Sequence, residues 1–298
     1  MRFPMSRTSL LLMTAAAPAI WGSSYIVATS FLPGADPIMV SLLRALPPGL
    51  LLLALTRQVP RGAWIWKVLL LGALNFSFFW SFLFLSAYRL PGGVAATVGA
   101  IQPLIVVILA RLVLGAALKP LSVGAAILGM GGVGLLVLGP SASLDPVGIA
   151  AGLAGAVSMA LGSVLTRKWQ PPVSPLTFTA WQLTAGGLLL VPIAFGTGAS
   201  LPPLSMDTAI GIGYLGLIGA ALTYIFWFRG IAKLGPQTVA PLGFLSPVTA
   251  VLLGWIILGQ ALTPTQMAGA AIVLISVWLG QRAQRPQAPG TQGRTAAA

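Results

Sequence analysis

Long apolar runs cut by short polar punctuation make up almost the whole chain. Ten runs can be marked, over residues 9–29, 37–55, 65–87, 93–115, 121–138, 147–167, 176–195, 208–230, 236–259 and 265–280. A helix rising 1.5 Å per residue needs roughly 20 apolar residues to cross a hydrocarbon layer of about 30 Å, and each run approaches that length. The links hold Pro, Gly and charge, as in Leu32-Pro33-Gly34-Ala35-Asp36-Pro37. Barrel strands are excluded, because the runs are about twice the length such a strand needs and do not alternate. The pattern predicts an all-α integral membrane protein of ten transmembrane helices.

The first run has features of a secretory leader, with Arg2 and Arg7 ahead of it and small residues at Ala15-Ala16-Ala17-Pro18-Ala19. It continues past Trp21 to Phe31, however, and its centre recurs in the sixth run, so it is expected to remain as a span. Residues 281–298 are polar and are expected to form a disordered cytoplasmic tail.

Composition narrows the classes. Of 298 residues, 57% are hydrophobic and 6% charged, against about 25% charged in soluble domains. The chain has no Cys and no His. That excludes disulfide scaffolds, thiolate sites and cysteine nucleophiles, and removes the commonest metal ligand and near-neutral proton carrier. No metal and no cofactor is expected.

The 16 Lys and Arg against 3 Asp and Glu give a net charge of +13. With the N-terminus placed in the cytoplasm, all the basic residues but two fall at cytoplasmic ends. Arg89 falls outside, Arg44 lies within the second run, and Asp36, Asp145 and Asp207 all fall outside. This is the positive-inside pattern. It predicts cytoplasmic termini and an even number of spans, and accounts for the charge without a nucleic-acid partner.

The chain also repeats itself. Gly99-Ala100-Ile101-Gln102-Pro103 matches Gly243-Phe244-Leu245-Ser246-Pro247, 144 positions on. Leu112-Val113-Leu114-Gly115 matches Ile256-Ile257-Leu258-Gly259, and Trp21-Gly22-Ser23 matches Leu161-Gly162-Ser163. The repeat predicts two five-helix units, residues 1–140 and 141–280. Five is odd, so the second crosses the membrane in the opposite sense, a recurrent plan of secondary transporters.

The Trp21-Gly22-Ser23 motif, Arg44, the prolines of runs four and nine, and the Leu-Gly ends at Gly115 and Gly259 resemble the EamA family of the drug/metabolite transporter superfamily. Within it the chain resembles the amino-acid exporters of the YddG type. The resemblance covers about residues 10 to 280. It implies a ten-helix basket in a bacterial inner membrane, a central cavity between the halves, and efflux of aromatic and other amino acids. Many members carry Glu after the Leu-Gly ends; here those positions are Ala116 and Gln260.

Candidate residues follow from the repeat and from buried polarity. Pro103 and Pro247 each leave the carbonyl four residues earlier, of Gly99 and Gly243, without an N–H partner. Each Gly-x-x-x-Pro is therefore a candidate hinge and an acceptor near mid-membrane, or simply a packing kink. Asn75 and Phe79 share a helical face, and a buried Asn avoids lipid. Trp80 and Tyr224 sit at mirror depths and suit flat or apolar substrates. The candidate lining set is Trp21, Ser24, Asn75, Phe79, Trp80, Gln102, Ser158, Thr223, Tyr224 and Ser246, from runs one, three, four, six, eight and nine. Arg44 is a candidate carboxylate contact or an anchor reaching for the interface, with Gln182 as its rough counterpart. Trp64, Trp66 and Trp169 read as interface anchors, and Gly148, Gly152, Ala156 and Ala160 as a helix-packing stripe.

No Asp, Glu or His lies inside any run, so the usual intramembrane proton relay is missing, as are the parts of aspartyl, zinc and His-dependent hydrolases. The sequence therefore predicts a carrier of small molecules, not an enzyme, embedded in the bilayer. Amino acids are the first substrate class and a broad range of drugs or metabolites the second, with a channel as the alternative class.

Overall fold

A computed structural model of the chain describes residues 5–90, 92–137, 145–259 and 261–285. Helices are the regular structure throughout, with no strand among the described residues. The helical rods are α1 (Arg7–Phe31), α2 (Pro37–Thr56), α3 (63–89), α4 (92–114), α5 (Pro120–Val137), α6 (Pro146–Lys168), α7 (Pro175–Thr197), α8 (206–234), α9 (236–258) and α10 (Pro264–Ala283). Among the described residues, nine segments are long and apolar enough to cross a membrane, covering α1 to α9. The tenth expected run forms α10, but Gln266, Gln281 and Arg282 dilute its apolar stretch. Gln260 and the junction at residue 140 lie outside the described residues, as does most of the expected tail; residues 281–283 still belong to α10.

The links set the helix starts. Asp36, Asp145, Ser174 and Thr263 each precede a proline and cap the helix that follows. The proline lacks the N–H that would be orphaned at the first turn, and the side-chain oxygen accepts from the next ones.

Four rods are not plain α-helices. In α3 a π-helical stretch, Ala73–Ser77, separates Ala63–Gly72 from Phe78–Arg89. In α8 a longer one, Tyr214–Leu222, separates Met206–Gly213 from Thr223–Leu234. Rod α4 breaks between Gly92–Gly99 and Gln102–Leu114. Rod α9 passes through a 3₁₀ stretch, Ala240–Phe244, between Pro236–Val239 and Leu245–Leu258. The sequence predicted mid-helix kinks at Pro103 and Pro247. The breaks lie at the glycine side of each Gly-x-x-x-Pro candidate hinge, and both prolines sit in the first turn of the helix that follows. A missing N–H is harmless there, so the chain moves the discontinuity to where proline fits.

Helix α2 packs along α7, and α5 along α10. Helices α3 and α4 pack on α6, while α8 and α9 pack on α1. The contacts of α3 and α4 with α6 correspond to those of α8 and α9 with α1, while α2–α7 and α5–α10 each join helices five apart. Glycines allow the close crossings: a Cβ on Gly49 would lie 2.7 Å from the Thr184 nitrogen of α7, and one on Gly269 2.5 Å from the Leu136 nitrogen of α5. Small residues let helices approach where no hydrophobic effect pulls them together.

Candidate functional site

A cavity of about 450 Å³ lies between the two interrupted rods, walled by α3, α4, α5, α6, α9 and the start of α10. Both breaks face it. Gly99 and Ala100 line it from α4, and Gly243 and Phe244 from α9. Ala100 N–H donates to Ala96 and Thr97 carbonyls at 3.0 and 3.2 Å, a tightened end for Gly92–Gly99. A Cβ on either Gly99 or Gly243 would meet nothing within 4 Å, so both backbones border open space.

Gln102 and Ser246 occupy equivalent places in the repeat, and both line this cavity, as do Pro103, Pro247 and Phe79. Ser86 lines it too, and was missed by sequence reasoning. None of the lining residues is charged. The stripe residues Gly152 and Ala156 belong to the wall as well as to the helix contact. The walls from α5 and α10 were also unforeseen: Val133, Leu136 and Val137 of α5 carry no polar atom that a sequence would flag, and α10 contributes Gln266, outside the runs from which the lining was expected.

The other candidates gather beside the cavity rather than in it. Trp21 packs on Tyr224 and Trp227, with ring centroids 5.1 and 5.0 Å away, and its Nε1 donates to Thr223 Oγ1 at 2.9 Å. Phe76, Trp80 and Phe228 complete this aromatic cluster around the buried Tyr224 ring. The rings fill one another's space, which is why α1 and α8 supply packing here and not cavity wall. Ser158 donates to the Leu74 carbonyl at 2.8 Å, within the α3–α6 contact. Ser24 Oγ is buried without a partner, close to Gly219.

Two buried polar pairs mark the π-helical stretches. Arg44 is 9% exposed. Its guanidinium lies 4.4 Å over the Trp80 ring, and Nη2 donates to the Gly219 carbonyl at 3.3 Å. At the other π-helical stretch, Gln182 Oε1 accepts from Asn75 Nδ2 at 2.8 Å, and the same Asn75 nitrogen donates to Thr166 Oγ1 at 3.3 Å. Gly219 lies 144 positions after Asn75, and Gln182 is the rough counterpart of Arg44, so a charged residue in one half has a neutral one near the corresponding place in the other. A π turn widens the helix and turns carbonyls aside, which gives Arg44 its acceptor.

The acids stay at helix starts. Asp36 and Asp145 cap α2 and α6, and Asp207 lies in the first turn of α8. Hydrogen bonds from the Gly148 and Val147 N–H groups, with Arg89 at 3.5 Å, hold the Asp145 carboxyl below its ordinary range. At the other end of α3, Lys67 Nζ sits 4.8 Å from the Trp64 ring and 5.8 Å from those of Trp66 and Trp169, an aromatic grouping suited to an interface. Among the described residues, no group of His, Cys, Asp or Glu could hold a metal ion.

Known proteins share this architecture. A solved crystal structure superposes with a TM-score of 0.80 at 21% identity, covering 94% of this chain and 100% of that one; at that identity it speaks for the fold alone. Protein PecM of Dickeya dadantii is 41% identical over 267 residues, 89% of this chain and 90% of PecM. The uncharacterized inner membrane transporter YedA of Escherichia coli K12 is 29% identical over 267 residues, 87% of this chain and 86% of YedA. The EamA-like transporter family matches twice, over residues 8–138 and 146–280. With nearly all of its length accounted for by those two matches, this multi-pass membrane protein belongs to the EamA-like transporter family, and it is a transporter rather than an enzyme.

Proposed function

We propose that the protein is a secondary carrier that exports amino acids, aromatic ones included, across a bacterial inner membrane by alternating access. The two five-helix units, 1–140 and 141–280, are inverted relative to each other, with both termini cytoplasmic. The observation that carries the reading is the cavity between the two broken rods. Transporters tolerate irregular backbone at membrane depth where it borders a cavity, and use it to bind. The carbonyls of Gly99 and Gly243 suit an ammonium group; the starts of Gln102–Leu114 and Leu245–Leu258 suit a carboxylate. The volume falls in the ordinary range of small-molecule sites. Arg44 is the second candidate for the carboxylate, reached when the halves rock and the aromatic cluster reorganises. Trp21, Ser24, Asn75, Trp80, Ser158, Thr223 and Tyr224 belong to that second layer, and Gly99, Pro103, Gly243 and Pro247 are the hinges.

A broad exporter of apolar metabolites is the second reading, favoured by the mainly apolar walls. In either case the cycle runs without a carboxylate or His proton relay, because all three acids lie at helix starts and a proton held there does not follow substrate across. The test is flux of radiolabelled phenylalanine into proteoliposomes of the purified protein. The reading expects saturable equilibration, unchanged by an imposed pH step. Uphill accumulation driven by that step would overturn the uncoupled mechanism, and absence of flux would overturn the substrate class.

A further inference from the structure

Two polar groups on one wall of the cavity have no hydrogen-bond partner. Ser86, on α3, is 1% exposed, and its Oγ is buried and unpaired. Gln102, at the start of the second half of α4, has its Nε2 buried and unpaired. Both residues line the cavity. Buried donors and acceptors are nearly always satisfied, and an unsatisfied one calls for an explanation. Gly152 of α6 makes the Ser86 position possible, since a Cβ there would fall 2.9 Å from Ser86 Oγ and 2.8 Å from Val98 Cγ1. Gly99, at the end of the first half of α4, also lines the cavity. The remaining wall is mainly apolar, with Val133, Leu136, Phe244 and Val251, and adds Ser246 and Gln266 as its other polar side chains.

We propose that Gln102 and Ser86 form the polar subsite of the cavity, holding the hydrogen-bonding end of a net-neutral amphipathic substrate whose apolar body lies on the α5–α9 side. This rests on the carrier reading above and gives its substrate class. An amide and a hydroxyl both donate and accept, so a zwitterion's carboxylate and ammonium are both served. A net charge is not. The lining holds no ionisable side chain, and an ion leaving water there meets dipoles only. Substrates with charged side chains are therefore excluded, and Gln102 sets that selectivity.

The experiment uses the full-length protein in proteoliposomes, exchanging labelled against unlabelled phenylalanine. In the wild type, lysine and glutamate do not compete. Gln102→Leu raises the half-saturation concentration by about tenfold, the loss of one hydrogen bond to a charged group, and Ser86→Ala raises it less. Gln102→Glu, equal in size, admits lysine as a competitor, a gain that misfolding does not produce. A Gln102→Leu protein within twofold of wild type overturns the subsite, as does a Gln102→Glu protein that exchanges phenylalanine and still ignores lysine. A second arm needs no substrate, because the chain has no Cys. Gln102→Cys should react with neutral methyl methanethiosulfonate far faster than with cationic or anionic analogues, each rate taken relative to free cysteine. If phenylalanine is not carried, the amino-acid reading falls while this arm still decides the subsite. Selective neutral modification supports it, and equal relative rates or no reaction overturns it.

Discussion

Replacing Gly22 by Ala tests how the Trp21-Gly22-Ser23 motif works. The new Cβ would lie 2.5 Å from the Ser246 carbonyl oxygen, 2.7 Å from Thr249 Cβ and 2.9 Å from the Ala250 nitrogen, all on α9. Two of these are backbone atoms, and no rotamer change can move them aside. Helices α1 and α9 must separate by nearly 1 Å to reach ordinary contact. Overpacking of this kind costs about 1–3 kcal/mol, against a helix-propensity gain of about 1 kcal/mol for Gly→Ala. Gly131 of α5 is the matched control, because a Cβ there meets nothing within 4 Å. Gly131→Ala should keep the propensity gain alone. Thermal melting of the detergent-purified variants, followed by the intrinsic fluorescence of the 9 tryptophans, should place Gly22→Ala below wild type and Gly131→Ala at or above it. Gly22→Ala should also slow transport, because Ser246 lines the cavity and moves with the displaced helix. A Gly22→Ala protein melting no lower than Gly131→Ala would refute the close-approach argument.

Three further outcomes are expected. Asn75→Leu leaves Gln182 Oε1 without its donor and should cost about 1–3 kcal/mol; adding Gln182→Leu should cost less than the sum of the singles, read by the same melting assay. Pro103→Ala and Pro247→Ala should leave melting nearly unchanged and lower transport rate, since an alanine N–H can bond the Gly99 or Gly243 carbonyl and stiffen the break; wild-type rates in both would make the prolines packing features. Asp145→Cys, at a position whose side chain is 32% exposed, should react with an impermeant maleimide in intact cells; labelling only after lysis would contradict cytoplasmic termini.

The helices were legible because lipid imposes a simple rule on sequence. Asp36-Pro37 predicted where α2 starts, and the structure begins it at Pro37. Other features were hidden. The π stretches of α3 and α8 depend on partners from distant helices, such as Gly186 for Ser77 Oγ at 2.8 Å and Arg44 for Gly219, so no local pattern announces them. In the cavity, Gln102 and Ser246 could be found because the repeat aligns them. Ser86 could not, since its equivalent is Gly230 and its setting is made by Gly152 across the helix contact. The aromatic candidates Trp21, Trp80 and Tyr224 were expected to line a cavity, and their packing on one another through Tyr224 could not be read from spacing alone.

The central claim is that this cavity is offered to the two sides of the membrane in turn, and counterflow tests it most directly. Proteoliposomes loaded with excess unlabelled phenylalanine are diluted into labelled phenylalanine at equal pH on both sides. A carrier returns to the outer face empty or loaded and draws label in, so the account predicts a transient internal label above its final equilibrium value. A smooth approach to equilibrium with no overshoot, and a flux that does not saturate, would contradict alternating access and indicate a channel.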